Sequence, residues 1–326
     1  MERRSFLGFL LTFAFPLSAA NAQSDRVRRI AIVMNFLAND PTGQARYASI
    51  IQSLQGLGWT EGRNLKVEAR WPGAHLANIQ NDINELTKDP WDVVVATSTP
   101  ITHALLKSDI KAPIVFTNVS DPVGDGFVQS LARPGRDVTG FINYEGPLAG
   151  KWLQLLKEID PKVNRASLLF NPDVAPRHGD YYWGAFETAA KSLGIIPLAA
   201  PVRTVDDIDE AIRKISRTSG GGLVVASDSF VGVHRAQIVA SAAQYRVTAS
   251  YPFIIEGALI CYGPSVVHLY SGVGPYIDKI LRGAKASDLP VQVPTKISLV
   301  INMRTAKDLG LQVPAELLSR ADEVIE

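Results

Sequence analysis

Apolar and polar residues along this chain follow two periods, and their alternation predicts strands separated by helices. A short run of apolar, largely β-branched residues is typical of a strand that is covered on both faces of a sheet. Five such runs occupy the first part of the chain, at residues 29–34, 65–69, 92–96, 112–117 and 138–142.

The segments between these runs carry apolar residues three or four positions apart, which is the spacing of one helical face. One helix is predicted to end at Gly58 and another to span residues 76–86. Pro100 directly follows the third strand, and proline is favoured at the first position of a helix. The first helix is predicted from the spacing of Tyr47, Ile50, Ile51, Leu54 and Leu57.

The same alternation then begins again. Strands are predicted at residues 166–170, 195–199, 222–226, 259–262 and 297–301. Helices are predicted at residues 151–159, 181–193, 205–217, 234–245 and 267–281, and a closing helix at residues 315–325.

Repeated strand–helix units indicate an α/β fold with parallel sheets covered by helices on both faces. Two successive sets of units predict two such sheets, and therefore two Rossmann-like lobes. Ligands of open parallel sheets bind outside the carboxyl ends of the strands, and a cleft between two lobes is a common ligand site. The residues that directly follow the predicted strands are therefore the candidates for ligand binding.

These strand-end segments are rich in hydroxyls, amides and carboxylates, with a few aromatic rings. In the first lobe the candidates are Phe36, Ser98, Thr99, Asn118 and Asp121. In the second lobe they are Asn171, Ser227, Asp228 and Tyr251.

Ser98 and Thr99 stand just before a predicted helix, where backbone N–H groups and the helix dipole favour an anion. Their hydroxyls could donate to the same ligand carboxylate. The alternative is that one of them only caps the helix, which is the common role of Ser or Thr at this position.

Asp121 and Asp228 are the candidates to face a ligand amine or hydroxyl. The alternative for each is a turn or cap role, because Asp before Pro or beside Ser often serves one. Phe36 and Tyr251 lie nearest the predicted strand ends and are favoured as apolar walls, whereas Tyr144 and Phe253 could equally be core or hinge residues.

The composition is that of an ordinary globular protein. The 326 residues are 46% hydrophobic and 20% charged, with a formal net charge of +1. This near-neutral balance gives no indication of nucleic-acid binding, which requires a basic face. Cys261 is the only cysteine, so an intrachain disulfide is excluded, and its apolar surroundings predict a small buried residue.

The first 22 residues have the three parts of a secretory signal. Arg3 and Arg4 form a positive start, residues 6–17 are apolar, and residues 20–22 form a small-x-small cleavage site, which predicts a mature start at Gln23. The apolar run is too short to span a bilayer. The paired arginines also resemble a twin-arginine signal, which leaves the Sec and Tat routes both open.

No catalytic or cofactor motif stands out. The chain has neither a Gly-x-Ser-x-Gly elbow nor a Walker loop, and its five histidines show no metal-ligand spacing. We therefore expect no metal and no cofactor. An exported enzyme remains an alternative, because a catalytic triad assembled in space need not show in the sequence.

Two long motifs carry a resemblance to a known family. They are SDPVGDGFVQSLARPGRDVTG at residues 120–140 and LPVQVPTKISLVINMRTAKDLG at residues 289–310, supported by residues 56–62 and 317–326. The chain resembles the ABC-transporter substrate-binding proteins that include tryptophan- and tyrosine-binding members. This resemblance implies the type I periplasmic-binding fold, with a hinge between the lobes.

On that fold, the first lobe is assigned residues 23–142 and 263–292, and the second lobe residues 143–262 and 293–326. The resemblance implies a periplasmic binder without catalysis, which closes on a small solute and delivers it to ABC permease subunits in the inner membrane, and we expect a monomer. Ser98 and Thr99 indicate a carboxylate on that solute, and Phe36 and Tyr251 indicate an aromatic or amino-acid-like body. The resemblance also places the nine candidate residues in the cleft. The alternative within this fold is a sensory module that presents its ligand-loaded surface to a receptor.

Overall fold

The first lobe is built on a five-stranded sheet. The computed structural model describes residues 26–326, apart from the side chain of Val266, so the predicted signal sequence lies outside the described residues. The strands of this sheet are β1 (Arg28–Val33), β2 (Leu65–Arg70), β3 (Val93–Ala96), β4 (Ile114–Val119) and β5 (Val138–Ile142). All neighbouring strands are parallel, in the order β2-β1-β3-β4-β5.

Three helices connect these strands: α1 (Pro41–Gly56), α2 (Leu76–Leu86) and α3 (Thr99–Lys107). Asp40 starts α1, because its carboxylate accepts the N–H groups of Thr42 and Gly43 at 2.8 and 3.1 Å. The predicted stop at Gly58 lies two residues beyond the end of α1, in the left-handed conformation that glycine adopts at little cost.

The second lobe is built on a seven-stranded sheet in the order β12-β11-β10-β9-β8-β6-β7. Its strands are β6 (Arg165–Phe170), β7 (Ile196–Pro201), β8 (Gly221–Val225), β9 (Ala249–Tyr251), β10 (Ile260–Pro264), β11 (Ile297–Asn302) and β12 (Glu323–Ile325). The β10–β11 pair is antiparallel, and the other neighbours are parallel. The predicted α/β fold with parallel sheets in two lobes is confirmed, with this one antiparallel pair as a difference.

The remaining helices follow in chain order. They are α4 (Leu148–Ile159), α5 (Asp180–Ser192), α6 (Val205–Ser216), α7 (Ser229–Val233), α8 (Arg235–Gln244), α9 (Val266–Ser271), α10 (Val273–Leu281), α11 (Met303–Leu309) and α12 (Ala315–Ser319). Although α9 and α10 follow a strand of the second sheet, they pack against α1 and the first sheet.

The chain therefore passes between the lobes at three places within residues 26–326. It leaves the first sheet after β5 and enters α4, returns between β10 and α9, and leaves again between α10 and β11. Residues up to Gln292 still pair with the first lobe, since the backbone N–H of Gln292 donates to Gly140.

The central strands of each sheet are buried on both faces, which explains their continuous apolar runs. Along β1, Ile30 and Ile32 belong to one buried cluster, and Ala31 and Val33 belong to another on the opposite face. The second sheet likewise separates two clusters, one around Trp152 and Tyr182 of α4 and α5 and one around the helices α6 and α8. Cys261 is buried, as predicted.

The predicted closing helix over residues 315–325 is wrong. Helix α12 ends at Ser319, and residues 323–325 form β12 on the edge of the second sheet. The turn between them is fixed by the Asp322 carboxylate, which accepts the N–H of Leu299 at 2.8 Å. Hydrogen bonding to an available sheet edge overrides the helical spacing here.

Two other predicted helices differ from the structure. The helix predicted at residues 267–281 is two helices that meet at Gly272, and the helix predicted at 234–245 is preceded by the short helix α7. Within residues 26–326, none of the helices is both long and apolar enough to cross a membrane.

Gly263 lies in β10, at one of the passages between the lobes. We expect that no residue with a Cβ atom can replace it without loss of stability. A Cβ atom there would lie 1.8 Å from the carbonyl oxygen of Pro252, and backbone cannot move aside as a flexible side chain can. Gly263→Ala should lower the free energy of unfolding by about 2 kcal/mol or more in urea denaturation. Gly184→Ala in α5 is the matched control, since its Cβ meets nothing within 4 Å; it should stabilise by about 0.5–1 kcal/mol. Equal effects of the two changes would contradict the steric argument.

Candidate functional site

The carboxyl ends of the strands from both lobes face a common cleft, and the lobes contact each other across it. Phe36 follows β1, Ser98 follows β3, and Asn171 and Asp228 follow β6 and β8. The contacts between the lobes form three groups, which involve Asp40, Ser120 and Asp121 of the first lobe.

The first group is an ion pair between Arg235 of α8 and Asp40. The guanidinium donates to both carboxylate oxygens of Asp40, at 2.9 and 3.0 Å, and to the hydroxyl of Thr42 at 2.7 Å. Both side chains of the ion pair are mostly buried. Burial acts to raise the pKa of Asp40, but the hydrogen bonds from Arg235 and from the start of α1 outweigh it and lower the pKa.

The second group is a hydrogen-bonded chain near the passage after β5. The hydroxyls of Ser120 and Tyr182 share a hydrogen bond of 2.9 Å, and the Tyr181 hydroxyl donates to the Ser120 carbonyl at 3.0 Å. Asn143 extends the chain, because it accepts from Ser120 and donates to Asn118. Burial, followed by the Asp121 carboxylate, raises the pKa of Tyr181 to about 12, so its hydroxyl stays protonated and donates.

The third group places Asp121 against Arg177 of the second lobe, with 3.2 Å between Nε and Oδ2. Asp121 also accepts the N–H of Gly124, which is the turn role that the sequence left open. Asp125 lies behind this pair. Burial, and then the charge of Asp121, raises its pKa to about 6.

The apolar candidates differ in their surroundings. Phe36 is buried in the first lobe, and its ring lies beneath two guanidinium groups, with 4.7 Å from its centroid to Arg46 Cζ and 5.5 Å to Arg235 Cζ. Tyr251 belongs to the buried core of the second lobe. Tyr144 belongs to the other buried cluster of the second lobe, and its hydroxyl donates to the Pro252 carbonyl at 2.7 Å.

Ser98 stands at the start of α3 without capping it. Its backbone is extended, and its side chain makes no hydrogen bond to the helix. The residue is buried, and among the described residues its Oγ has no hydrogen-bond partner. A buried hydroxyl without a partner is uncommon and indicates a place where another polar group can bind. Thr99 is less buried and lines a cavity of about 420 Å³ between α3 and residues 173–178 of the second lobe.

Asn118 and Asp228 already have hydrogen-bond partners within the protein. Asn118 adopts a positive φ of 59° and accepts from Asn143 at 3.0 Å. Asp228 caps α7 by accepting the N–H of Val231, and it also accepts the N–H of Asn171, both at 2.8 Å. Burial raises the pKa of Asp228 to about 7, although the backbone N–H groups oppose that rise. Ser227 is buried beside it.

The sequence analysis missed the residues that join the two lobes: Arg235, Arg177, Tyr181, Tyr182 and Asn143. One feature of the sequence could have indicated Arg235. It is the first residue of a helix, where the dipole disfavours a cation unless a carboxylate partner is near. Arg177 lies in an irregular segment with φ of 47°, and no pattern of residues in the sequence indicates it.

Within the described range, residues 26–326, no group of three or more His, Cys, Asp or Glu side chains lies close enough together to hold a metal ion. The cleft instead offers hydroxyls, amides, guanidinium groups and aromatic rings. These groups suit the binding of a small polar solute.

Comparison with known families gives one match that spans nearly the whole described chain. The model of the ABC transporter substrate binding protein family matches residues 29–325. A tyrosine-binding protein of Clostridioides difficile (strain R20291) is 24% identical over 299 residues, which cover 90% of this chain and 85% of that protein.

Solved structures share the fold. A conserved domain protein from Vibrio cholerae O1 biovar El Tor superposes with a TM-score of 0.83 at 25% identity, covering 92% of this chain and 100% of that one. An ABC domain in complex with L-Trp from Streptococcus pneumoniae superposes with a TM-score of 0.82 at 22% identity, covering 91% and 99%.

The raised pKa of Asp228 predicts a pH dependence of stability. A carboxyl whose folded-state pKa lies above its ordinary value near 3.8 contributes most at low pH, and this contribution is lost as the pH rises through about 7. The stability of the wild type relative to Asp228→Asn should therefore fall between pH 4 and pH 7, by on the order of 1 kcal/mol per pH unit. Thermal unfolding of both proteins across this range measures it.

Asp207→Asn is the control, because the folded state lowers the pKa of Asp207 whereas it raises the pKa of Asp228. Hydrogen bonds from the backbone N–H groups of Arg203 and Thr204 lower the pKa of Asp207, so its contribution is lost only as the pH falls below about 4. Parallel profiles of the wild type and Asp228→Asn between pH 4 and pH 8 would show that Asp228 does not titrate there.

Proposed function

The chain belongs to the family of ABC transporter substrate-binding proteins, and from this premise we propose that it binds a small carboxylate-bearing solute, aromatic or amino-acid-like, in the interlobe cleft. The family binds small molecules and works with permease components. We propose that this member delivers its solute to the permease subunits of an ABC importer and acts without catalysis.

One observation supports a carboxylate on the ligand. The buried Ser98 hydroxyl at the start of α3 has no hydrogen-bond partner among the described residues. A carboxylate placed there would accept from this hydroxyl and from the N–H groups of the helix start, and it would meet the positive end of the helix dipole. Two relatives support an aromatic amino-acid-like solute, because one is named a tyrosine-binding protein and the other was solved with L-Trp.

We propose that Phe36, Ser98, Thr99, Asn118 and Asp121 contact the solute from the first lobe, and Asn171, Ser227, Asp228 and Tyr251 from the second. Asp121 and Asp228 would act differently. Asp121 already pairs with Arg177, so a ligand amine would have to share or replace that guanidinium. Asp228 holds two backbone N–H groups and would contribute mainly by shaping the loop that follows β8.

The solute would be enclosed by hinge closure, a rotation of rigid lobes about the segments that join them. We propose residues 23–142 with 263–292 as the first lobe and residues 143–262 with 293–326 as the second. The three passages of the chain between the lobes are the proposed hinge. The ion pair between Arg235 and Asp40, which the chain forms only when the lobes meet, would favour the closed form.

The proposed location is the periplasm. Members of this family act outside the cytoplasm, and we propose that residues 1–22 direct export and that the mature protein begins at Gln23 as a monomer.

Binding should appear as a thermal shift. The mature protein, screened against L-tryptophan, L-tyrosine and a broad set of small carboxylates, polyols and sugars, should gain about 2.7 kcal/mol of stability at a ligand concentration one hundred times the Kd. Mass spectrometry of the solute before and after incubation should recover it unchanged. A flat screen, or turnover of the bound compound, would contradict the proposal.

The ion pair across the cleft predicts the effect of Arg235→Gln. This variant removes the guanidinium and leaves Asp40 in place as the cap of α1, so the closed form alone loses stability. Affinity for the bound solute should fall about 10- to 100-fold, corresponding to ~1.4–2.7 kcal/mol. Small-angle scattering should show a larger radius of gyration.

The matched control is Arg282→Gln, whose ion pair with Asp278 lies entirely within α10 and its end. Its affinity for the solute should equal that of the wild type. If Arg282→Gln and Arg235→Gln weaken binding equally, the ion pair between the lobes has no specific role in closure.

A further inference from the structure

Among residues 26–326, Arg46, Arg177 and Arg235 lie at the cleft, and two of these three have a carboxylate partner. Arg235 pairs with Asp40, and Arg177 pairs with Asp121. Arg46, on α1, forms no ion pair with any residue in the described part of the chain, and it is only partly exposed. A guanidinium is always charged, so a partly buried one without a counter-ion leaves a local excess of positive charge.

Arg46 is held in place by aromatic rings. Its Cζ lies 4.7 Å from the centroid of Phe36 and 5.4 Å from the centroid of Tyr270. Stacking of this kind fixes the orientation of the guanidinium while leaving its N–H donors free, because the attraction is to the ring faces.

A buried hydroxyl lies beside this guanidinium. Tyr270 is fully buried, and its hydroxyl is close to Arg46 and to Thr97 but makes no hydrogen bond of acceptable geometry with any described residue. Thr97 is itself occupied, since its hydroxyl donates to the Val33 carbonyl and accepts the N–H of Asn35. The Tyr270 hydroxyl is therefore a donor without an acceptor, next to a cation without an anion.

The same region reaches the second lobe. The ring of Phe36 lies beneath Arg46 and also beneath Arg235 of α8 in the second lobe, with 4.7 and 5.5 Å from its centroid to the two Cζ atoms. Ser98, the other buried hydroxyl without a partner, directly follows Thr97.

We propose that Arg46 is the residue that selects an anionic solute, by pairing with the ligand carboxylate while the Tyr270 hydroxyl donates to the same group. The proposal rests on the proposed function and deepens it, since it names the charge that decides the ligand class. Arg46 lies in the second turn of α1 and does not directly follow a strand, so the search of strand ends in the sequence did not include it.

Calorimetric titration of the mature protein tests this with matched probes. The probes are L-tryptophan, L-tyrosine and benzoate, each compared with its primary amide, which keeps the shape of the molecule and removes its negative charge. The wild type should bind the preferred carboxylate and discriminate against its amide. Arg46→Gln should lower affinity for the carboxylate about 10- to 100-fold and abolish that discrimination. Arg46→Lys should restore part of the affinity, and Tyr270→Phe should lower it about 10-fold.

Folding and non-specific charge effects are controlled separately. Arg46→Gln loses its stacking on Phe36 and Tyr270 but no ion pair, so the unliganded variant should lose only a little stability and stay folded at the temperature of the titration. Arg133→Gln removes the same charge from an exposed site of the first lobe and should bind like the wild type.

Retained carboxylate affinity in Arg46→Gln, or equal binding of carboxylate and amide by the wild type, would overturn the role of Arg46 and leave the proposed function standing. Binding of a neutral polyol or sugar in place of any carboxylate would overturn both the role of Arg46 and the proposed ligand class, while solute binding as such would stand. Failure of the wild type to bind any small solute would overturn both.

Discussion

The central strands of both sheets are buried on both faces, and that requirement sets where the chemistry of this protein can lie. Helices cover the faces of the sheets, so the central strands are mostly apolar along their length. The polar residues are displaced to the loops at the carboxyl ends of the strands. Because the chain passes between the lobes at three places, those ends face one another, and the cleft between them collects the polar groups that the sheets exclude.

Within the cleft, the balance of charge distinguishes the residues that hold the lobes together from those that can bind a charged solute. Two arginines and two aspartates neutralise each other across the lobes, through Arg235 with Asp40 and Arg177 with Asp121. These pairs couple the lobes without leaving a net charge for a solute. The remaining guanidinium, that of Arg46, and two hydroxyls without acceptors together lack one anion. The paired side chains can therefore hold the lobes together, and the side chains without partners can hold the solute.

The candidate residues could be predicted from the sequence to the extent that they follow strands. Ser98 and Phe36 lie in the cleft region because strand ends lie there in any such sheet. The choice between ligand contact and local structure could not be made, since it depends on neighbours that are distant in the sequence. Asp228 accepts the N–H of Asn171, 57 residues away, and Asp121 pairs with Arg177, which is also more than fifty residues away. The closing helix was predicted wrongly for the same reason, because residues 323–325 pair with an edge of the second sheet.

The sequence by itself determined the α/β class, the repetition that makes two lobes and the strand ends at which polar residues collect. These features follow from periodicities within twenty or so residues, and local sterics and burial encode them along the chain. Only the tertiary structure decided which charges are already neutralised and which are not. That distinction rests on pairs such as Arg235 with Asp40, 195 residues apart, whose interaction exists only once both lobes are folded and in contact.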